Sequence, residues 1–402
     1  MKRQPVFFGW KITWAAFAIA VFSWGIGFYG PSVFLQTLHA TRGWSISSIS
    51  AAITTHFLLS AVMVAYLPEV HRRFGLAWIT LAGIGLSALG AMAWANAQYP
   101  WQLFLAALVS GAGWAATSGA AINAMVAPWF DRDRPKALSL AYNGASVGGV
   151  VFAPLWVGLI AQLGFPTTAL VIGIATAAVL SPLALRYLST NRQDLGLQPD
   201  GVQQARAGQT ALKPTLNRRH LLRDRRFLTI SGAFALGLFA QIGLFAHLIT
   251  RLVPVLGESG AALALSLTTA CAVFGRTLLG WLLGERDRRL AASLNFAVQA
   301  SGVVLLVLGS EAYVLHLGCI LFGLGVGNLI SLPPVIAQKE FEDGDVSTVV
   351  ALITAINQAV FAFAPVIFGA VRDLAGEYAM SFAIAACLQF AATFIVLAGR
   401  RR

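Results

Sequence analysis

Leu67-Pro68-Glu69-Val70-His71-Arg72-Arg73-Phe74-Gly75 is a charged interruption between two long apolar runs, and Gly284-Glu285-Arg286-Asp287-Arg288-Arg289 interrupts the chain in the same manner 216 positions later. Two further features recur in the same order. Trp129-Phe130-Asp131-Arg132-Asp133-Arg134 is answered by Lys339-Glu340-Phe341-Glu342-Asp343, and an apolar run carrying Asn143 and Pro154 by one carrying Asn357 and Pro365. Three pairs in register, at offsets of 211 to 216, indicate a duplicated unit.

A helix needs about 20 mostly apolar residues to cross a bilayer. Such runs fall at 11–38, 46–68, 76–97, 101–128, 137–163 and 167–188, then at 227–255, 260–284, 290–310, 313–337, 346–371 and 378–399. No period-2 alternation points to a barrel. The expectation is an all-α membrane protein of twelve transmembrane helices in two six-helix bundles. The first bundle covers 1–188 and the second 227–402, joined by a basic linker over 189–226 that begins flexible around Gly196–Gly208. Lys2 and Arg3 precede an apolar stretch too long for a secretory signal, so the first span reads as retained.

Composition agrees. Of 402 residues, 57% are apolar and 11% charged, against about 25% charged in soluble domains. That excludes a cytosolic enzyme, a disulfide scaffold and a disordered chain. The net charge of +12 sits in short segments between apolar runs, not on one face of a domain, which argues against nucleic acid. With the N-terminus inside, 24 of the 28 Lys and Arg residues fall on cytoplasmic segments; Arg42, Arg251 and Arg372 fall outside and Arg276 within a span. Both termini are therefore expected in the cytoplasm, with short loops of the kind found in a bacterial inner-membrane protein. Cys271, Cys319 and Cys387 have no metal-binding or redox spacing, and neither a metal nor a cofactor is expected.

Six plus six spans with an acidic-basic loop after spans two and eight resemble the major facilitator superfamily. The first loop departs from the family pattern, with Pro68-Glu69 where glycine and aspartate are usual. Phe8-Gly9-Trp10 with Gly25, Gly27 and Gly30-Pro31 is similar to the monocarboxylate porter and oxalate/formate antiporter branch. So are Trp129-Phe130 with Arg132, Arg134 and Ala137, the stretch Gly144–Gly149 with Pro154, and Gly275-Arg276. The resemblance implies a substrate site between the halves near the membrane midplane. It also implies charged partners that are missing: Ser32, Ala272 and Asn357 stand where relatives of this branch carry a lysine, an acid and a second cation.

Arg276 lies deep in an apolar run, while all sixteen carboxylates lie at span ends or in loops. A cation at that depth costs about 2.5–3.5 kcal/mol on insertion scales and marks function by default. Its helical neighbours Thr269, Ala272, Val273 and Gly280 are small enough to leave room for a ligand, and a guanidinium holds a carboxylate by two parallel bonds. The competing reading is an arginine that braces the carbonyls of a broken helix.

Tyr29, Asn123, His247 and Asn357 are candidate partners in the same site, with Tyr142, Asn143, Asn328 and Gln358 as further polar groups; Asn143 and Asn328 also suit helix-to-helix glue. His247 is the candidate proton carrier, in competition with His56 and His316. Glu69, Arg72 and Arg73, with Glu285 and Arg286, are candidate gating loops.

The expected activity is secondary transport of a small organic anion, foremost a monocarboxylate, by alternating access, coupled to protons or to a counter-anion. A carrier of neutral or amphipathic compounds with a structural Arg276 is the alternative. A non-transporting membrane receptor or scaffold is a third. No Ser/His/Asp cluster suggests an enzyme.

Overall fold

The computed structural model describes residues 7–190, 192–201, 221–283 and 286–400. Among these the chain is helical, without strands. Eleven helical stretches are long and apolar enough to cross a membrane. One of them, Arg225–Leu283, runs for 59 residues. At 1.5 Å per residue that is close to ~90 Å, far beyond the ~30 Å hydrocarbon core. Its helix is interrupted at Gly257 (φ 70°, ψ 171°), a backbone conformation that favours glycine, so the stretch supplies spans seven and eight.

Four spans are built from two helical pieces. In the first, Phe8–Gly27 gives way to Gly30–Arg42. Pro31 has no N–H to return to the Gly27 carbonyl, and Phe28 and Tyr29 both bond back to Trp24 O instead, at 3.1 and 2.9 Å. The eleventh repeats this device: Asp343–Phe361 and Ala364–Ala375 meet where Pro365 cannot bond to the Phe361 carbonyl. The fourth span breaks at Ser118, between Pro100–Thr117 and Gly119–Val126. The tenth breaks at Gly327, between Ala312–Val326 and Asn328–Glu340. These two breaks stand 209 positions apart, in keeping with the duplicated unit read from the sequence.

The remaining helices are Ile46–Phe74, Leu76–Asn96, Arg134–Leu163, Phe165–Leu183 extended to Leu188 by a π-turn, Arg288–Leu308 and Ala379–Ala398. The chain divides into two compact units: Met1–Thr37 with Thr55–Gly208, and Leu38–Thr54 with Gln209–Arg402. The segment that joins spans one and two thus packs with the second unit.

In the first unit, Ile12, Ile19, Ile84, Ile122, Met125 and Phe130 are buried together. Here the first and fifth spans touch backbone to backbone, since a Cβ on Gly144 or Gly148 would collide with the carbonyls of Phe17 and Val21. The linker is tied to this unit by Asp200, and its Leu197 packs against the unit's core. Asp200 accepts the backbone N–H groups of Asp131, Arg132 and Asp133 at 3.1, 2.8 and 3.3 Å. The linker residues 202–220, including most of the stretch expected to be flexible, lie outside the described residues.

The second unit buries Phe227, Phe234, Phe296, Leu332, Ile336 and Val396. Large apolar side chains such as Trp78, Trp281 and Leu374 are exposed, at 68%, 81% and 90%. A soluble protein cannot leave such surface in water, whereas lipid tails cover it at no cost.

Candidate functional site

Each compact unit holds part of the predicted site. In the second, a Cβ on Gly275 would collide with the Leu324 carbonyl, so spans eight and ten are in close backbone contact. The half-buried Arg276 next to it therefore reaches the break in span ten, and its Nε donates to Gly327 O at 3.1 Å. That bond fixes the plane of the guanidinium.

Asn357, on span eleven, is buried at 4% exposure, and its Oδ1 accepts no hydrogen bond. A buried amide oxygen without a donor is costly, so this atom is ready to accept from a ligand or a water. Asn328 donates to Asn295 Oδ1 at 2.8 Å, which is the helix-to-helix glue expected of it.

His247 is fully buried with different partners. Its Nε2 lies 3.0 Å from Pro365 O, which can only accept, so the ring proton sits on Nε2. Nδ1 is then bare and faces the Tyr378 hydroxyl at 3.4 Å, with Ser50 Oγ 3.5 Å from Nε2. Both ring nitrogens of the neutral imidazole are engaged.

In the first unit, Tyr29 is buried at the break in span one, its ring against Phe28. Asn123 is exposed on the short helix after the break in span four. Tyr142 mirrors Arg276: its hydroxyl donates to Gly119 O at 2.8 Å, bracing the break in span four. Each half thus has a broken span in which a carbonyl beside the break is held by a polar side chain of a neighbour.

The charged loops pair locally. Glu69 and Arg72 form an exposed ion pair within one helix, and the Arg73 guanidinium lies over Phe74. Exposed pairs of this kind contribute about 0.2–1 kcal/mol. Arg286 donates to Leu282 O at 3.0 Å, and Glu285 lies outside the described residues. Among the described residues no group of His, Cys, Asp or Glu is placed to hold a metal. His316 is half-buried, with Nδ1 on its own helix at Ala312 O.

The sequence reading missed a buried charge pair. Arg289, 2% exposed, meets Glu340 through Nε at 2.6 Å and Nη2 at 2.8 Å. Both residues belong to the recurring motifs quoted above, which was the available signal. Their pairing, 51 positions apart, was not readable without the fold.

Comparison with known proteins completes the picture. The profile of the Major Facilitator Superfamily matches residues 13–365. The chain is 25% identical to an uncharacterized MFS-type transporter, YcxA, of Bacillus subtilis, over 70% of this chain and 68% of that one. It is 24% identical to human monocarboxylate transporter 2, over 97% of this chain and 85% of that one. Among solved structures, a point mutant of the nucleoside transporter NupG superposes with a TM-score of 0.76 at 14% identity, covering 97% of this chain and all of that one. A likeness at that identity speaks for the fold, and the profile match extends it to descent. This multi-pass membrane protein is a transporter, not an enzyme, and it belongs to the major facilitator superfamily.

Proposed function

We propose that this transporter carries a small organic anion, foremost a monocarboxylate, by alternating access across the inner membrane of a bacterium, with both termini in the cytoplasm. The observation that carries the reading is Arg276: a half-buried cation within an apolar span, its plane set by the bond from Nε to Gly327 O. Guanidinium geometry suits a carboxylate, and one cation suits one negative charge, since a second would stay uncompensated in low dielectric. Distant monocarboxylate transporters of human and cattle among the relatives support the choice of substrate class. Tyr29, Asn123 and Asn357 are the proposed polar partners. Because the anion neutralises Arg276, the loaded carrier crosses its occluded state more readily than the empty one. This favours exchange of anions or co-transport with a proton.

A second reading is supported by the same bond. If the contact with Gly327 is the whole role of Arg276, the substrate is neutral or amphipathic. Uptake of labelled L-lactate, pyruvate, formate and oxalate into proteoliposomes separates the two. Saturable monocarboxylate uptake that is abolished in Arg276→Ala supports the anion. No anion uptake by folded protein, or uptake that survives the substitution, moves Arg276 to the brace. An imposed pH gradient against internal anions then distinguishes symport from exchange.

A further inference from the structure

His56, on span two, is fully buried and is not used in the transport reading above. Its Nδ1 lies 2.9 Å from Ser110 Oγ. Ser110 directs its own hydrogen to Ala107 O at 3.3 Å and accepts the indole N–H of Trp94 at 3.1 Å. With that hydrogen committed, Ser110 accepts from Nδ1–H as well, and the lone pair of the ring is left on Nε2. Nε2 is buried and makes no hydrogen bond.

The other side of this ring is the break in span one. The Gly27 carbonyl lies within hydrogen-bonding reach of the His56 ring, and Pro31, four residues on, has no N–H to give it. Gly27 also ends the helix Phe8–Gly27, and the C-terminal end of a helix carries the negative pole of its dipole, where an imidazolium is favoured. A cavity of about 10 Å³ adjoins both groups and is lined also by Ser87, Trp94 and Ser110. That volume holds about one water. No other residue lining it from spans one, three and four is charged or titratable, and the ring's aromatic neighbours are Phe57 and Trp114. Two acceptors, Nε2 and a helix-end carbonyl, therefore share a space for one small donor.

We propose that His56 and the Gly27 carbonyl form a proton-binding site at the break in span one, in which a single water donates one hydrogen to each. In loading, a hydronium ion delivers its proton to Nε2 and leaves as water. The new Nε2–H then donates to the Gly27 carbonyl, and Nδ1–H stays on Ser110. His247 is less suited to the task, because both of its nitrogens are already engaged. The site stands without the transport reading; only its consequence, coupling of proton and anion, rests on it.

The test is nitrogen NMR of histidine-labelled protein in lipid nanodiscs, from about pH 4.5 to about pH 9, bracketing the histidine range. His56→Gln identifies the signal among the six histidines, and Ser110→Ala, which removes the Nδ1 partner, identifies it if that variant does not fold. The expected result is a bare Nε2 in contact with water at high pH, protonated as the pH falls. A proton already on Nε2 at high pH, no water contact, or a ring neutral to the bottom of the range overturns the site. A second arm uses proteoliposomes and labelled L-lactate. With a gradient of one pH unit, the wild type accumulates lactate about tenfold at one proton per anion. His56→Gln exchanges lactate but loses that accumulation. A His56→Gln carrier that still accumulates lactate overturns the coupling role. If the wild type moves no anion at all, the transport reading fails, and the NMR result still decides the site.

Discussion

Arg289 and Glu340 meet in a two-pronged ion pair, and the remaining donors of the guanidinium are occupied as well. Nη1 bonds Thr229 Oγ1 and Val396 O at 2.9 and 2.7 Å, and Nη2 also bonds Arg226 O at 3.1 Å. Five donors thus meet five acceptors from three helices. Removing one partner of a buried pair leaves an uncompensated charge, at a cost of about 3–5 kcal/mol. Glu340→Ala should lower the thermal unfolding midpoint in detergent clearly. Arg289→Lys should lower it too, because an ammonium cannot reproduce the fork. An unchanged midpoint in both would mean that the cluster holds nothing together.

Arg276→Lys separates charge from geometry. Lysine keeps the cation but cannot donate from a planar Nε to Gly327 O while offering a fork to a ligand. A hydrogen bond to a charged group contributes about 1.5–3 kcal/mol, so the affinity for the transported anion should fall about 10- to 100-fold. Half-saturation of lactate uptake measures this. Equal affinities would show that only the charge matters.

Asp373 accepts the Ser47 N–H at 2.8 Å, placing a carboxylate at the N-terminus of the helix Ile46–Phe74. Anions at a helix N-terminus stabilise it by about 0.3–1 kcal/mol. Asp373→Asn should speed hydrogen exchange at Ser47 and its neighbours by several-fold, with little effect on amides elsewhere. Exchange that does not change would remove this contact from the account.

A pH dependence follows from Asp224, which precedes span seven. The side chain of Arg226 bonds it at 2.7 Å and holds its carboxyl below the usual carboxylate range. A folded value lower than the unfolded one adds stability above the unfolded value of about 4, and that contribution is lost as the pH falls through the folded value. Unfolding midpoints followed from neutral pH to below pH ~4 should therefore drop. Asp224→Asn should start lower and drop less, and parallel curves would contradict the assignment.

The spans and their duplication were readable because both rest on composition and order, which folding does not alter. Breaks were readable only where proline announced them, as at Pro31 and Pro365. Nothing at Ser118 or Gly327 marks a break as firmly. The partner of Arg276 was out of reach for a similar reason: bracing of a broken helix was foreseen, but Gly327 becomes its neighbour only because Gly275 lets spans eight and ten touch. His56 and His247 look alike in sequence, each a lone histidine in an apolar run. What distinguishes them is the company of each ring, a hydroxyl beside a small cavity for one and a proline carbonyl for the other.

The contact made by Gly144 and Gly148 with the carbonyls of Phe17 and Val21 has a mechanical consequence. With no side chains between them at these two points, the backbones are in direct contact, and a push on one helix passes to the other as through a lever. The lever ends at Gly27, and the two non-helical residues Phe28 and Tyr29 act as its elbow. Motion of span five should therefore reach residue 27 without slack and change direction beyond it. Distance reporters placed before and after the elbow should record different amplitudes for the same event.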